Sequence, residues 1–259
     1  MKNVALITGA SGGIGMELAR IHARSGGDLV LVARSEEKLH ALAAELKDKH
    51  GAEIRVFPAD LSRPEAVPQL VAELTDAGVK TDILINNAGF GDYGLFHQTD
   101  WQKNGEMIDL NVRALTHLTR LILPGMVSRG HGRIMNLAST ASFQPGPLMA
   151  VYFATKHYVL AFSRALSQEL AGSGVSVTAL CPGPTASGFQ DAATIQNSRI
   201  VKGKKLPGAA EVAAYGYRKM LSGKRVAIHG FGNRLMAHAV RFMPGRLVTA
   251  AVQKMQEEK

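Results

Sequence analysis

The chain has 259 residues, 46% of them apolar, which suffices for one well-packed α/β unit and leaves no segment with the composition of disorder. The net charge of +9 is uneven: residues 199–259 hold 13 Lys and Arg against 3 Asp and Glu, while residues 1–198 hold 17 against 18. One cysteine, Cys181, excludes an internal disulfide, and no apolar run approaches the roughly 20 residues of a membrane-crossing helix.

The predicted elements alternate between strand and helix. Asn3–Thr8 reads as a buried strand, followed by a glycine turn and a helix from about Gly13. A strand starting this early leaves no room for a signal peptide, and the expectation is a cytoplasmic protein. Asp28–Ala33 is the second strand, with a charged helix from Ser35 to about Lys49. Glu53–Phe57 is the third strand, Arg63–Ala77 a helix and Asp82–Ile85 the fourth strand. A long helix runs from about Trp101 to Val127, and Gly132–Ala138 is the fifth strand. Val151–Ala171 is helical, Val175–Leu180 is the sixth strand, Ala209–Leu221 is helical and Arg225–Ile228 is a short seventh strand. Val-, Ile- and Leu-rich strands separated by helices imply a doubly wound, seven-stranded parallel sheet with helices on both faces, in one domain over 1–259. The Pro- and Gly-rich stretch 185–207 is expected to be a substrate lid.

Three motifs carry chemistry. Thr8-Gly9-Ala10-Ser11-Gly12-Gly13-Ile14-Gly15 lies between the first strand and helix. Glycines there let the backbone approach a diphosphate, and the helix N-terminus offers free N–H groups and a favourable dipole. The second strand ends in Ala33-Arg34-Ser35, where an acidic residue would bind the ribose hydroxyl of NAD. Arg34 instead suits the 2′-phosphate of NADP, with Ser35 adding a hydroxyl and capping the next helix. The alternative is a solvated surface arginine. Tyr152 and Lys156, four residues apart, share one helix face, so the ammonium is expected to lower the phenol from its usual value of about 10. Taken alone, such a pair also arises from ordinary surface packing.

Together these features resemble the short-chain dehydrogenase/reductase family, from residue 3 to about 230. The glycine turn matches its T-G-x-x-x-G-x-G pattern and Tyr152/Lys156 its Y-x-x-x-K. Asn86-Asn87-Ala88-Gly89 follows the fourth strand, Ser139 lies thirteen residues before Tyr152, and Asn111 sits on the long helix, each where the family places such residues. Asp60-Leu61 and Pro182-Gly183 follow the third and sixth strands in the family's manner. The resemblance implies Tyr152 as acid/base, Lys156 as its modulator and ribose anchor, Ser139 as donor to the substrate oxygen and Asn111 as support for a proton-relaying water. With Arg34 read as favouring NADP(H) over NAD(H), the cofactor is expected on Gly9, Ser11, Gly13, Ile14, Gly15, Arg34, Ser35, Asp60, Leu61, Asn87, Ala88, Gly89, Tyr152, Lys156, Pro182 and Gly183, with Thr185, where the chain departs from the family pattern, a candidate for the nicotinamide carboxamide. The reaction implied is interconversion of a small-molecule carbonyl and alcohol, by a homodimer or homotetramer assembled through the helices near 101–127 and 151–171.

Phe90, Tyr93, Phe143, Met149 and Phe189 lie in loops expected around the nicotinamide end and suggest an apolar pocket, with ordinary packing as the alternative. The nine histidines show no metal spacing, and neither a metal nor a nucleic-acid site is expected. The basic segment 231–259 reads as two helices broken at Pro244-Gly245. Leu235, Ala239 and Phe242 share a face of the first, and Leu247, Val248, Ala251 and Met255 a stripe of the second. The reading favoured for it is packing over the cleft or at a subunit interface, with a membrane-surface element as the alternative. The rival to the enzyme reading is a non-catalytic NADP-binding scaffold or regulatory protein, held to membranes by this segment.

Overall fold

A computed structural model describes residues 1–189, 193, 198–199, 203 and 205–257. Seven parallel strands form one sheet in the order β3-β2-β1-β4-β5-β6-β7. They are β1 (Val4–Thr8), β2 (Leu29–Ala33), β3 (Ile54–Pro58), β4 (Thr81–Asn86), β5 (Gly132–Leu137), β6 (Val175–Cys181) and β7 (Val226–Ile228). Strand periodicity sorts the core. Ala5, Ile7, Leu29 and Leu31 face one layer, while Val4, Leu6, Val30 and Val32, between them in sequence, face the other. Both layers are apolar, so the strands read as unbroken hydrophobic runs.

The first layer holds α1 (Gly13–Arg24), α2 (Glu36–His50) and α7 (Ala209–Leu221). Helix α2 shows why such segments fold where they do. Leu39, Leu42 and Leu46 recur on one buried face, Glu36 and Glu37 open the first turn, and Lys47, Lys49 and His50 close the last. Gly51, at φ 65°, then takes the left-handed conformation that ends it. The Arg20 guanidinium on α1 pairs with Glu45 on α2 at 2.8 Å. Ser35 stands at the start of α2 but its side chain makes no capping hydrogen bond, a correction to its expected role.

The second layer holds α3 (Ala66–Asp76), the long helical region and α6 (Ala150–Glu169). The long helix is not uniform: α4 (Trp101–Ile108) passes through a π turn at Asp109–Ala114 into α5 (Leu115–Ser128). A π turn widens the helix by one residue, a distortion found frequently at functional sites. Here it carries Asn111.

The C-terminal segment forms α8 (Phe231–Ala239), a short turn Val240–Phe242 and α9 (Gly245–Gln256). On α9 the buried residues are Val248, Val252 and Gln256, not the expected stripe of Leu247, Val248, Ala251 and Met255. Val248 and Val252 pack with Met149, Phe153 and Ala141. On α8 the expected face of Leu235 and Ala239, continued by Phe242, points outward, and Ala237 is buried instead.

Candidate active site

Doubly wound sheets bind ligands outside the carboxyl ends of their strands, where the strand order reverses. Here that place lies between β1 and β4, and a cleft of about 330 Å³ opens there. One wall is the glycine turn. Gly9 and Gly13 take φ of 65° and 54°, which side chains rarely adopt. A methyl group on Gly15 would lie 2.4 Å from the Gly9 carbonyl oxygen, so the turn closes only with glycine. No side chain caps α1, whose first turn faces the cleft through Gly12 and Gly13. The Asn87 amide donates to the Thr8 and Gly9 carbonyls at 2.9 and 3.0 Å, and the Thr8 hydroxyl accepts from the Asn87 and Ala88 N–H groups. The end of β4 thus braces the turn.

The facing wall comes from β5 and α6. Ser139 follows β5 and starts a short helix, Thr140–Phe143, its Oγ accepting from the Ala141 N–H at 3.1 Å. The Ser142 hydroxyl donates to the Lys156 carbonyl at 2.7 Å, locking that helix to α6. Tyr152 and Lys156 stand one turn apart on α6, with Lys156 Nζ 5.8 Å from the centre of the Tyr152 ring. Nζ donates to the Leu137 carbonyl at 2.7 Å. Asn111 reaches in from the π turn. Its amide donates to the Phe90 carbonyl and the Thr155 hydroxyl, and its oxygen accepts from the Phe90 N–H. It braces α6 from behind, outside the cleft lining.

Electrostatics in the free site differ from expectation. Burial drives the Tyr152 phenol up to about 12, against the Ser139 hydroxyl, which acts to lower it. The expected lowering by Lys156 is absent because burial also disfavours the ammonium, bringing Lys156 down to about 8. Cys181 is pushed up to about 12 by burial and stays an inert thiol.

The third wall is the segment after β6. The Pro182 carbonyl accepts from the Thr140 N–H at 2.9 Å, and the Thr185 hydroxyl donates to the Gly183 carbonyl at 2.9 Å. The Ser187 carbonyl oxygen comes within 2.8 Å of where a Gly13 side chain would begin, so this segment arches over the glycine turn. Much of the expected lid at 185–207 lies outside the described residues.

Gly9, Gly13, Ile14, Asn87–Gly89, Ser139, Tyr152, Lys156, Pro182, Gly183 and Thr185 therefore converge on one cleft. Ser11, Gly15, Arg34, Ser35, Asp60 and Leu61 stand outside its lining. Arg34 is exposed at the carboxyl end of β2, beside the strand that leads to Asp60. Burial acts to raise the Asp60 carboxyl, but the Ser62 hydroxyl and N–H, with help from Arg34 and Arg63, hold it below its usual value. Of the loop side chains expected around the pocket, Met149 and Phe189 line it, whereas Phe143 packs behind it against Leu115 and Val159. Phe90 and Tyr93 are not in the lining; the Tyr93 hydroxyl donates to the Gln256 carbonyl at 2.9 Å.

Among the lining residues not expected from the sequence are two glutamines. Gln144 and Gln256 are both buried and both face the cleft. Gln256 Oε1 has no hydrogen-bond partner among the described residues. The signal for Gln256 was its four-residue spacing behind Val248 and Val252 on α9.

Fold and cleft define a dinucleotide-binding α/β protein whose glycine turn fits a diphosphate. The chain belongs to the short chain dehydrogenase family, whose model matches residues 3–198. Solved structures of that family similar to this chain are complexed with nicotinamide cofactors. The chain is 34% identical over 183 residues to the very-long-chain 3-oxoacyl-CoA reductase of Anas platyrhynchos, which covers 69% of this chain and 58% of that protein. The chain thus spans little more than half of that relative. The short-chain dehydrogenase from Sphingobium yanoikuyae in complex with NADPH superposes with a TM-score of 0.82 at 34% identity, covering 92% of this chain and 93% of its own. A family member from Burkholderia phymatum in complex with NAD superposes at 0.81 with 26% identity, covering 91% and 92%. Among the described residues, no helix is long and apolar enough to cross a membrane.

Proposed function

We propose that the chain is an NADPH-dependent reductase of a ketone or aldehyde carrying an apolar substituent. The observation that carries this reading is the convergence of Ser139, Tyr152 and Lys156 on a cleft whose opposite wall is the glycine turn. The cofactor diphosphate would lie on the Gly9–Gly13 backbone at the N-terminus of α1, with Thr185 and Lys156 toward the nicotinamide end. Arg34 would pair with the 2′-phosphate, which supports NADPH over NADH. When bound, the nicotinamide supplies the hydride.

The chain's own groups handle the proton and the oxygen. A phenol held near 12 is fully protonated at neutral pH, as a proton donor to a carbonyl oxygen must be. The Ser139 hydroxyl, beside Tyr152, donates to the same oxygen and stabilises the charge that develops on it. Lys156, protonated below about 8, stabilises the phenolate left behind. Asn111 keeps α6 and the Phe90 backbone in register with these groups. Met149, Phe153 and Phe189 give the substrate end an apolar wall. Exposed Trp101 on α4, Leu121 on α5 and Tyr158 on α6 support a homo-oligomer built through those helices.

The test is an untargeted turnover assay with NADPH and a metabolite extract, in which mass spectrometry seeks products that gain two hydrogens. A family of apolar alcohols is the expected result. Products confined to highly polar sugars would refute the substrate class, and NADPH binding with no product from any carbonyl would refute the reductase reading.

A further inference from the structure

Apolar side chains on the C-terminal segment point both ways. Inward, Val248 and Val252 of α9 pack with Met149 and Phe153 of the cleft wall. Outward, Phe231 and Leu235 of α8 are 80% and 61% exposed, Phe242 is 89% exposed and Leu247, on the first turn of α9, is 60% exposed. Phe231 and Leu235 stand one turn apart on α8, and Phe242 and Leu247 flank the Pro244 corner.

The charges around them indicate what would cover them. Arg234, Arg241, Arg246 and Lys254 are all exposed, and no acidic residue occurs from Phe231 to Gln256. Two copies of this face, paired about a two-fold axis, would bring cations against cations with no carboxylate of α8 or α9 between them. An anionic bilayer meets both demands, since its headgroups attract the arginines and its acyl boundary accepts the aromatic and aliphatic tips.

We propose that the outer edge of α8 and α9, centred on the Pro244 corner, docks this protein onto anionic lipid surfaces. Docking sets α9, whose buried side carries Gln256 into the cleft lining, next to the bilayer. An apolar carbonyl compound dissolved in the membrane then reaches the cleft along that edge. The proposal concerns the surface alone and holds whether or not the chain reduces carbonyls.

The test is flotation of the full chain with vesicles of phosphatidylcholine, with and without phosphatidylglycerol. Wild type floats with the anionic vesicles, and the association weakens in high salt. Phe242→Asp/Leu247→Asp and Arg234→Gln/Arg241→Gln/Arg246→Gln each weaken binding at least tenfold. Thermal melting and NADPH affinity stay at wild-type values, because these side chains are exposed and outside the cleft lining. Wild type that ignores anionic vesicles, or variants that float as well as wild type, would overturn the proposal. Sedimentation equilibrium supplies the other refutation: a wild-type oligomer that the aspartate variant dissociates, without vesicle binding, would make the face a contact between copies.

Discussion

Replacing Lys156 by Met keeps the buried stem and deletes the charge, which isolates the cost of burying that charge. The side chain is 6% exposed, and burial lowers it from 10.5 to about 8. At about 1.4 kcal/mol per unit, the folded protein forgoes roughly 3 kcal/mol to keep the ammonium at neutral pH. Met removes that cost but strips the Leu137 carbonyl of its donor, which costs about 1–3 kcal/mol, so the two chains have similar stability near neutrality. The pH dependence then separates the terms. Above about pH 8 the folded lysine is neutral while the unfolded one, with a value of 10.5, still holds its proton. The unfolded state binds more protons, so wild-type stability rises with pH relative to the variant. Between about pH 7 and pH 10 the wild type gains roughly 2–3 kcal/mol on the variant. Tyr152 and Tyr217, both raised by burial, are shared by the two chains and titrate in the unfolded state only near the top of this range. Urea unfolding of both chains across the range measures the difference. A constant difference would refute the claim that a buried ammonium is held against its desolvation cost.

Arg34→Ala is expected to weaken NADPH by about tenfold or more and NADH little, read by fluorescence titration; equal losses would dismiss the phosphate contact. Carbonyl reduction is expected to hold a plateau below about pH 8 and to fall above it as Lys156 loses its proton, seen in kcat/KM. A profile flat to about pH 10 would remove the lysine from the proton step. Gln256→Leu is expected to raise KM for substrates that carry a second polar group and to spare NADPH affinity, because Gln256 lines the cleft and its buried Oε1 has no partner among the described residues. Unchanged KM across such a panel would make Gln256 a packing residue only.

The sheet was legible because its strands are uninterrupted runs of Val, Ile and Leu and its helices carry their own punctuation, as Gly51 does after α2. The glycine turn was legible because only glycine tolerates Gly13's positive φ and Gly15's contact with the Gly9 carbonyl. The pairing of Tyr152 with Lys156 followed from helical spacing alone. Three features were not legible, each for a physical reason. The π turn at Asn111 inserts a single residue, too little to disturb the apolar pattern of the long helix. Helix α9 carries apolar residues on nearly every side, so periodicity could not separate the inward Val248 and Val252 from the outward Leu247. The high value of Tyr152 and the low one of Lys156 arise from desolvation, and burial depends on walls brought from β5, β6 and α9.

Tyr152→Phe is the change that bears most directly on how this cleft works. It deletes one hydroxyl from a side chain wedged between Phe153 and Phe189, and leaves the ring contacts in place. NADPH affinity and reduction of a carbonyl substrate would be measured on the same preparation. The proposed mechanism predicts wild-type NADPH affinity with turnover reduced by about a hundredfold or more, the usual contribution of a positioned acid. Turnover near the wild-type rate would contradict it and move the proton to another group.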